Sequence, residues 1–414
     1  MAKGVKEEAL KLNSKFKEVQ FRKCIKLPST TYGTFALYRY PAKFIPHVIA
    51  YILSKYSNPD MTIFDPFAGY GTVGVVSRLY GNQYELWDLN PLLSILHKIA
   101  IMKPIQIEED EIFDEIRFNK RTYLPDWSSI EYWYPKEFIP FLAEIWGYYH
   151  SLPENEKKLI LTIPLLKLSR YFSYDDFQRQ KLSRSSRSIK RISDLLEIDW
   201  KKKFFELLAV EINRVIRGIN DYQRLFPQDV KFNVYAGVDT LRHELREEKD
   251  ILITSPPYLQ SQEYIRQAKL DLFWLGYKEE QIKHLSKLEI PYRDIDPVEI
   301  RSRTYDRYLN NIKEAHIKKI YQIYFWGVLG ALSRLQKRIN RYIFLFVGHA
   351  SSRGTSVPID KIFVEHLSEF GWKHEITLID KIVSRRMFSY KVNPATGIAD
   401  ARTKVENLVI LKRQ

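Results

Sequence analysis

Residues Met61 to Pro91 read MTIFDPFAGYGTVGVVSRLYGNQYELWDLNP. A short apolar run, a glycine-rich turn, an apolar stretch of helical spacing (Val73 to Tyr80) and a second apolar run follow one another, which is the order strand, turn, helix, strand. Gly69, Gly71 and Gly74 match G-x-G-x-x-G in that context. Glycine lets the chain turn tightly and lets a ligand approach the backbone. The helix that starts near Thr72 offers unpaired N–H groups and a partial positive charge to an anion. Asp88 closes the next strand about 19 residues after Gly69, where an acid accepts hydrogen bonds from ribose hydroxyls. The stretch therefore predicts an α/β fold that binds a nucleoside-containing cofactor. Taken alone, the glycines also fit a dinucleotide dehydrogenase or a plain tight turn. Asp65-Pro66-Phe67 ahead of them and Asn90-Pro91 after the acid are not required by a dinucleotide fingerprint and suit another ligand.

Far downstream, Asp250 to Tyr264 read DILITSPPYLQSQEY. Asp250 to Ile253 has the β-branched composition of a buried strand, and Pro256 and Pro257 cannot extend its hydrogen-bond ladder. Proline also keeps the residue before it out of the helical region, so Ser255 and Pro256 are held extended with their carbonyls in fixed directions. The result is a rigid rim that ends in the ring of Tyr258. On its own this is also how a proline-rich loop would cap a buried strand.

The 414 residues suffice for two or three domains, and 45% hydrophobic content allows a sizeable core. Sixty-five Lys and Arg against 50 Asp and Glu give a formal charge of +15, which suits a polyanionic partner but also an ordinary basic protein. A single cysteine, Cys24, excludes an internal disulfide framework and a thiolate-rich zinc site, and it fits a reducing cytoplasm. The nine histidines have no metal-ligand spacing, so no metal is expected. The N-terminus lacks a signal-peptide core, and no run approaches the roughly 18 to 20 apolar residues of a membrane span. Residues 1–30 read as an extension, loose or helical where Lys and Glu are dense.

DPFAGYGT (Asp65 to Thr72) together with TSPPY (Thr254 to Tyr258) resembles the S-adenosylmethionine-dependent amino-methyltransferases of DNA, in the branch that methylates the exocyclic N4 of cytosine. Leu37 to Phe44 is similar to that family's N-terminal cofactor motif, and Ala236-Gly237-Val238-Asp239 to the motif ahead of its catalytic strand, with a valine between Gly237 and Asp239. The similarity continues through Tyr264 to Gly276, Tyr342 to Ser351 and a terminal strand at Val405 to Arg413. It implies a Rossmann-like methyltransferase fold with a seven-stranded, mostly parallel sheet. It also implies that S-adenosylmethionine is held by Tyr38, Pro41, Lys43, Phe44, Asp65, Pro66, Phe67, Ala68, Gly69, Gly71, Thr72, Asp88, Leu89, Asp239 and Thr254. Ser255, Pro256, Pro257 and Tyr258 would then form the catalytic rim, and serine at position 255 points to cytosine rather than adenine. Double-stranded DNA is the partner implied, and a restriction endonuclease would be a second one by analogy.

An exocyclic amine is a weak nucleophile because its lone pair is delocalised into the ring. Acceptors for its N–H groups steer the nitrogen towards tetrahedral geometry, and the Ser255 hydroxyl and the Pro256 carbonyl are candidates preorganised by the prolines. Tyr258 offers a face on which a base stacks, a contact worth roughly 1 to 3 kcal/mol. A base inside a duplex has to be flipped out to reach such a rim.

Between the two parts that carry the resemblance, residues 31–104 and 231–414, lies a stretch of about 125 residues, far longer than an ordinary connection. Residues 105–230 are expected to form a helical target-recognition domain, with apolar periodicity over Phe138 to Tyr149, Leu159 to Tyr171 and Lys202 to Tyr222. Arg179 to Arg191, RQKLSRSSRSIKR, carries six basic side chains and no acid. If helical, it gathers Lys181, Arg184, Arg187 and Arg191 into a stripe, with Lys190 beside it, for phosphate contacts that the interleaved serines could extend. A solvated helix face has the same composition. Leu275 to Arg303 is a second candidate recognition segment. His349, Trp133 and the aromatic run EYWYP are better read as packing residues.

The same residues leave rivals open: an adenine-N6 DNA methyltransferase, an RNA base amino-methyltransferase, a DNA-binding protein on a catalytically dead fold and, farthest, a dehydrogenase.

Overall fold

In a computed structural model, residues 15–40, 43–179, 181–259, 263–348, 350–352, 355–381 and 405–414 are described. They form ten strands in chain order: β1 Phe16–Val19, β2 Thr62–Asp65, β3 Gln83–Asp88, β4 Phe232–Ala236, β5 Lys249–Thr254, β6 Ile339–Gly348, β7 Ala350–Ser352, β8 Thr355–Val357, β9 Trp372–Lys381 and β10 Val405–Arg413. Fifteen α-helices accompany them among the described residues. Eight strands make one sheet in the order β1-β9-β10-β6-β5-β2-β3-β4, while β7 and β8 pair as a separate ribbon. Only β10 runs against its neighbours; every other pairing in the sheet is parallel.

The chain therefore has an α/β fold around a mostly parallel sheet, an arrangement consistent with a Rossmann-like fold. The central strands are apolar on both faces, as in Ile63, Phe64, Ile251, Leu252, Ile253, Ile343 and Phe344, because helices cover each side. The sheet is one strand wider than the seven expected. The additional strand, β1, comes from the N-terminal extension that composition marked as loose or helical. It pairs with β9 at the sheet's edge, where the Lys15 carbonyl accepts from Thr377 N at 2.7 Å, and the helix Phe21–Cys24 follows it. Four residues that pair only with a distant strand carry no periodicity of their own.

The insert is helical, and its three periodic stretches are the helices Ile139–Ser151, Glu156–Tyr171 and Trp200–Gln223. Its apolar side chains do not make a core apart from the sheet. Trp146, Leu166 and Leu208 belong to one buried cluster with Leu96 and Ile99 of the helix Leu92–Ala100 and with Phe273 and Trp274 of the helix Tyr264–Trp274. At its far end Tyr222 is buried and donates to the Val75 carbonyl at 2.8 Å. The insert is thus anchored to the helices that follow β2, β3 and β5. Among the described residues no helix is long and apolar enough to cross a membrane.

Candidate active site

β2, β3 and β5 are neighbours in the sheet, so Asp65, Asp88 and Thr254, each the last residue of its strand, emerge at the same edge. In a parallel sheet this carboxyl edge is where ligands bind. Gly69 and Gly71 adopt φ of +54° and +82°, the left-handed region that disfavours side chains. The turn they make returns Gly69 N to Asp88 Oδ2 at 2.7 Å, while Asn90 N donates to Asp88 Oδ1 at 2.8 Å. Asp65 Oδ1 accepts from Phe67 N at 3.0 Å and from Thr254 Oγ1 at 2.6 Å. This last bond ties the end of β2 to the end of β5.

A pocket with about 860 Å3 of empty space, part of it open to solvent, lies above this edge. Lys43, Phe44, Asp65, Phe67, Ala68, Gly69, Asp88, Leu89 and Asp239 line it together with Ser255 and Pro257. The two motifs, almost two hundred residues apart, share one cavity. Ser255 lines the pocket, and among the described residues its hydroxyl has no hydrogen-bond partner. Asp239 Oδ1 accepts from Arg293 at 2.8 Å and from Leu241 N at 3.1 Å. Its Oδ2 is buried without a hydrogen bond, Arg242 Nε lying 3.8 Å away.

Burial sets the electrostatics. It pushes the Asp65 carboxyl up to about 7, against the opposing effect of its Thr254 and Phe67 hydrogen bonds. Burial likewise raises Asp88 to about 6, against its bonds to Asn90 and Gly69. The Lys43 ammonium is brought down to about 7 by burial and by Arg214; it donates to the Phe35 and Tyr38 carbonyls and sits 3.5 Å from the Tyr70 ring centre.

No protein-family model matches this chain, and no curated protein sequence matches it. The site therefore stands on its geometry.

Not every expected residue reaches the pocket. Gly71 and Thr72 pack instead: a Cβ on Gly71 would stand 3.0 Å from Leu93 Cδ1, and Thr72 is buried. Pro66 and Thr254 act through hydrogen bonds, the Pro66 carbonyl accepting from Thr240 Oγ1 at 2.6 Å. Tyr38 is turned away, its hydroxyl bonded to Asp271, which also takes Arg170 Nε at 2.9 and 3.0 Å. It faces a second, larger cavity that borders the first at Tyr40, Lys43 and Phe44. Pro256 is buried and does not line the pocket, nor does Tyr258, whose hydroxyl donates to Glu406 Oε1 at 3.2 Å and whose Cε1 lies 3.4 Å from where a Cβ on Gly348 would stand. Pro41 and His349 lie outside the described residues.

Among the lining residues not predicted for the site, two bear on its chemistry: Tyr264, which opens a stretch that carried the resemblance, and Glu289, which no motif marked. Tyr264 stacks on Tyr40 with ring centres 6.4 Å apart, and Glu289 comes from the second candidate recognition segment. The only signal in the sequence for Glu289 is an acid set between apolar neighbours in Leu288-Glu289-Ile290.

The basic stripe is not assembled as expected. The helix begins only at Ser186, because Ser185 and Ser188 close a capping box at 3.0 and 3.2 Å, so Lys181 and Arg184 precede it. Those serines serve the helix end instead of a phosphate. Arg184 lies over the Tyr132 and Tyr174 rings and donates to the Tyr132 carbonyl at 2.8 Å. Arg191 holds the carbonyls of Tyr171, Ser173 and Asp175 at 3.1, 2.6 and 2.8 Å. Lys181, Arg187 and Lys190 keep side-chain exposures of 52%, 60% and 77%, with Asp or Glu partners at 3.1 Å. Lys181 reaches Glu263, directly ahead of Tyr264, so this segment sits beside the pocket. Among the described residues no group of His, Cys, Asp and Glu could hold a metal.

Proposed function

We propose that this protein is an S-adenosylmethionine-dependent methyltransferase acting on the exocyclic N4 amine of a cytosine flipped out of double-stranded DNA. One observation carries the reading: Ser255 and Pro257 line the same pocket as Gly69, Asp65, Asp88 and Asp239. A sheet of seven strands with one reversed, widened by β1, supports the methyltransferase reading of the fold.

The residues present fit the cofactor. Asp239 Oδ2, buried without a hydrogen bond, is an acceptor suited to an adenine amino group. Asp88 stands where ribose hydroxyls would be bound, and Gly69 has no Cβ to block the approach. When bound, S-adenosylmethionine supplies an electrophilic methyl group on a sulfonium. The Ser255 hydroxyl accepts an N–H of the target amine and turns its lone pair towards that methyl. The proline pair keeps the rim rigid, so no reorganisation accompanies the reaction. Lys181, paired with Glu263 next to Tyr264, and the exposed Arg187 and Lys190 of the same segment would contact DNA phosphates. A cytoplasmic location and a partner restriction endonuclease belong to this proposal only through the family resemblance.

The test is incubation with methyl-labelled cofactor and duplex DNA, digestion to nucleosides and mass analysis. N4-methylcytosine is the expected product. N6-methyladenine would transfer the same mechanism to adenine, and label in RNA alone would replace the DNA reading. Ser255→Ala should lower methyl transfer on the order of 100-fold while leaving cofactor affinity unchanged. Absence of S-adenosylmethionine binding in calorimetry would refute the proposal.

A further inference from the structure

Methylating a neutral amine on nitrogen leaves one proton too many on that nitrogen, and the Ser255 hydroxyl and a proline carbonyl are too weak as bases to remove it. Four carboxyls line the pocket: Asp65, Asp88, Asp239 and Glu289. Asp65 and Asp239 accept from side-chain donors, the Thr254 hydroxyl and the Arg293 guanidinium, and both oxygens of Asp88 accept from the backbone of Gly69 and Asn90 with the Tyr40 phenol beside them. Among the described residues Glu289 has no side-chain donor. Its Oε1 accepts from Ile265 N at 2.9 Å, and the Tyr264 backbone N–H also faces it. That turn is joined to the catalytic loop, because the Tyr264 phenol meets the Tyr258 backbone. Glu289 is thus a buried acid, only 5% exposed, fixed next to the rim and opening on the same cavity as Ser255.

We propose that Glu289 is a catalytic residue that takes the proton released by the target amine, an inference that rests on the methyltransferase reading above. The nitrogen–methyl bond forms while the sulfur–methyl bond breaks, its electron pair staying on sulfur. One N–H bond then breaks, and its proton passes to the Glu289 carboxylate, which becomes a carboxylic acid. The positive charge on sulfur and the negative charge on Glu289 disappear together.

The surroundings of Glu289 suit a base that works near neutrality. Burial raises its pKa to about 7, the Ile265 and Tyr264 N–H groups oppose that rise, and Glu263 and Asp88 add to it through like charge. Arg293, on the same segment, is committed to Asp239 at 2.8 Å and to the Leu288 carbonyl at 3.4 Å. Lys43, across the pocket, donates to the Phe35 and Tyr38 carbonyls.

The test is single-turnover methyl transfer to duplex DNA at saturating cofactor, from about pH 5.5 to about 9. The wild-type rate should rise with pH through the neutral range and then level. Glu289→Gln keeps an acceptor for Ile265 N–H but is no base; it should lose about 100-fold on the plateau and lose the rise itself. Glu289→Asp should restore the rise with a lower plateau. Cofactor binding by the Gln variant within about threefold of wild type, a difference of about 0.7 kcal/mol, shows that the pocket is intact. The role is overturned if Glu289→Gln keeps both rate and pH dependence. It is equally overturned if the Gln variant loses cofactor binding and Glu289→Asp fails to restore the rise, the pattern of a purely structural helix cap. Failure of the wild type to methylate any nucleic acid would refute the parent reading and this role with it, whereas the other outcomes leave the parent reading standing.

Discussion

Asp65→Asn isolates the free energy stored in the buried carboxyl at the join of the two motifs. Both of its hydrogen bonds, from Phe67 N at 3.0 Å and Thr254 Oγ1 at 2.6 Å, go to Oδ1. An asparagine in the same rotamer keeps an oxygen there and accepts both. What changes is ionisation. Burial lifts the native carboxyl from 3.8 to about 7. Below pH ~4 folded and unfolded chains both hold the proton, and the variant gains nothing. Between pH ~4 and ~7 the unfolded chain ionises while the native one retains its proton, so wild-type stability falls by about 1.4 kcal/mol per pH unit. Above that window the loss is complete, at most about 4 kcal/mol. With an unfolding entropy of about 2.1 cal/mol/K per residue, that corresponds to about 5 °C in Tm for a chain of 414 residues. Scanning calorimetry of the cofactor-free proteins should show the Tm of Asp65→Asn rising relative to wild type from pH ~4 to ~7 and then holding constant. A difference that stays flat across that window would mean that Asp65 ionises freely in the folded protein, and the electrostatic account of the pocket would be wrong.

Gly69→Ala forces a side chain into the left-handed region at φ +54°, with its Cβ 3.0 Å from Tyr40 Cε1. The strain of about 1–2 kcal/mol should appear as a lower Tm, and calorimetry should show weaker S-adenosylmethionine binding. The basic segment divides into two classes under alanine substitution. Arg191→Ala releases three backbone carbonyls and should lower Tm. Lys190→Ala, whose ion-pair partner among the described residues is Asp194 one helical turn away, should leave Tm unchanged and reduce the salt dependence of DNA binding by about one unit of slope. Equal Tm losses in both variants would contradict the division.

The sequence by itself determined what depends on neighbours in the chain. Strand, glycine turn and helix could be read from Met61 to Pro91 because positive φ at Gly69 and Gly71 and the apolar spacing of the helix are local properties. The long helices of the insert were legible for the same reason, and Val405 to Arg413 coincides with β10. Only tertiary structure decided the rest. β1 exists because β9 offers it an open edge, and Glu289 enters the pocket because the fold brings a segment without a motif against the helix at Tyr264. Arg184 and Arg191 look identical to surface cations until the aromatic rings and carbonyls that hold them are in place. Charge and composition belong to the chain, but whether a cation meets solvent, a ring or a carbonyl depends on groups distant in sequence. The shared cavity of Gly69 and Ser255 is of that second kind: two local motifs predict each half, and the parallel register of β2 with β5 joins them.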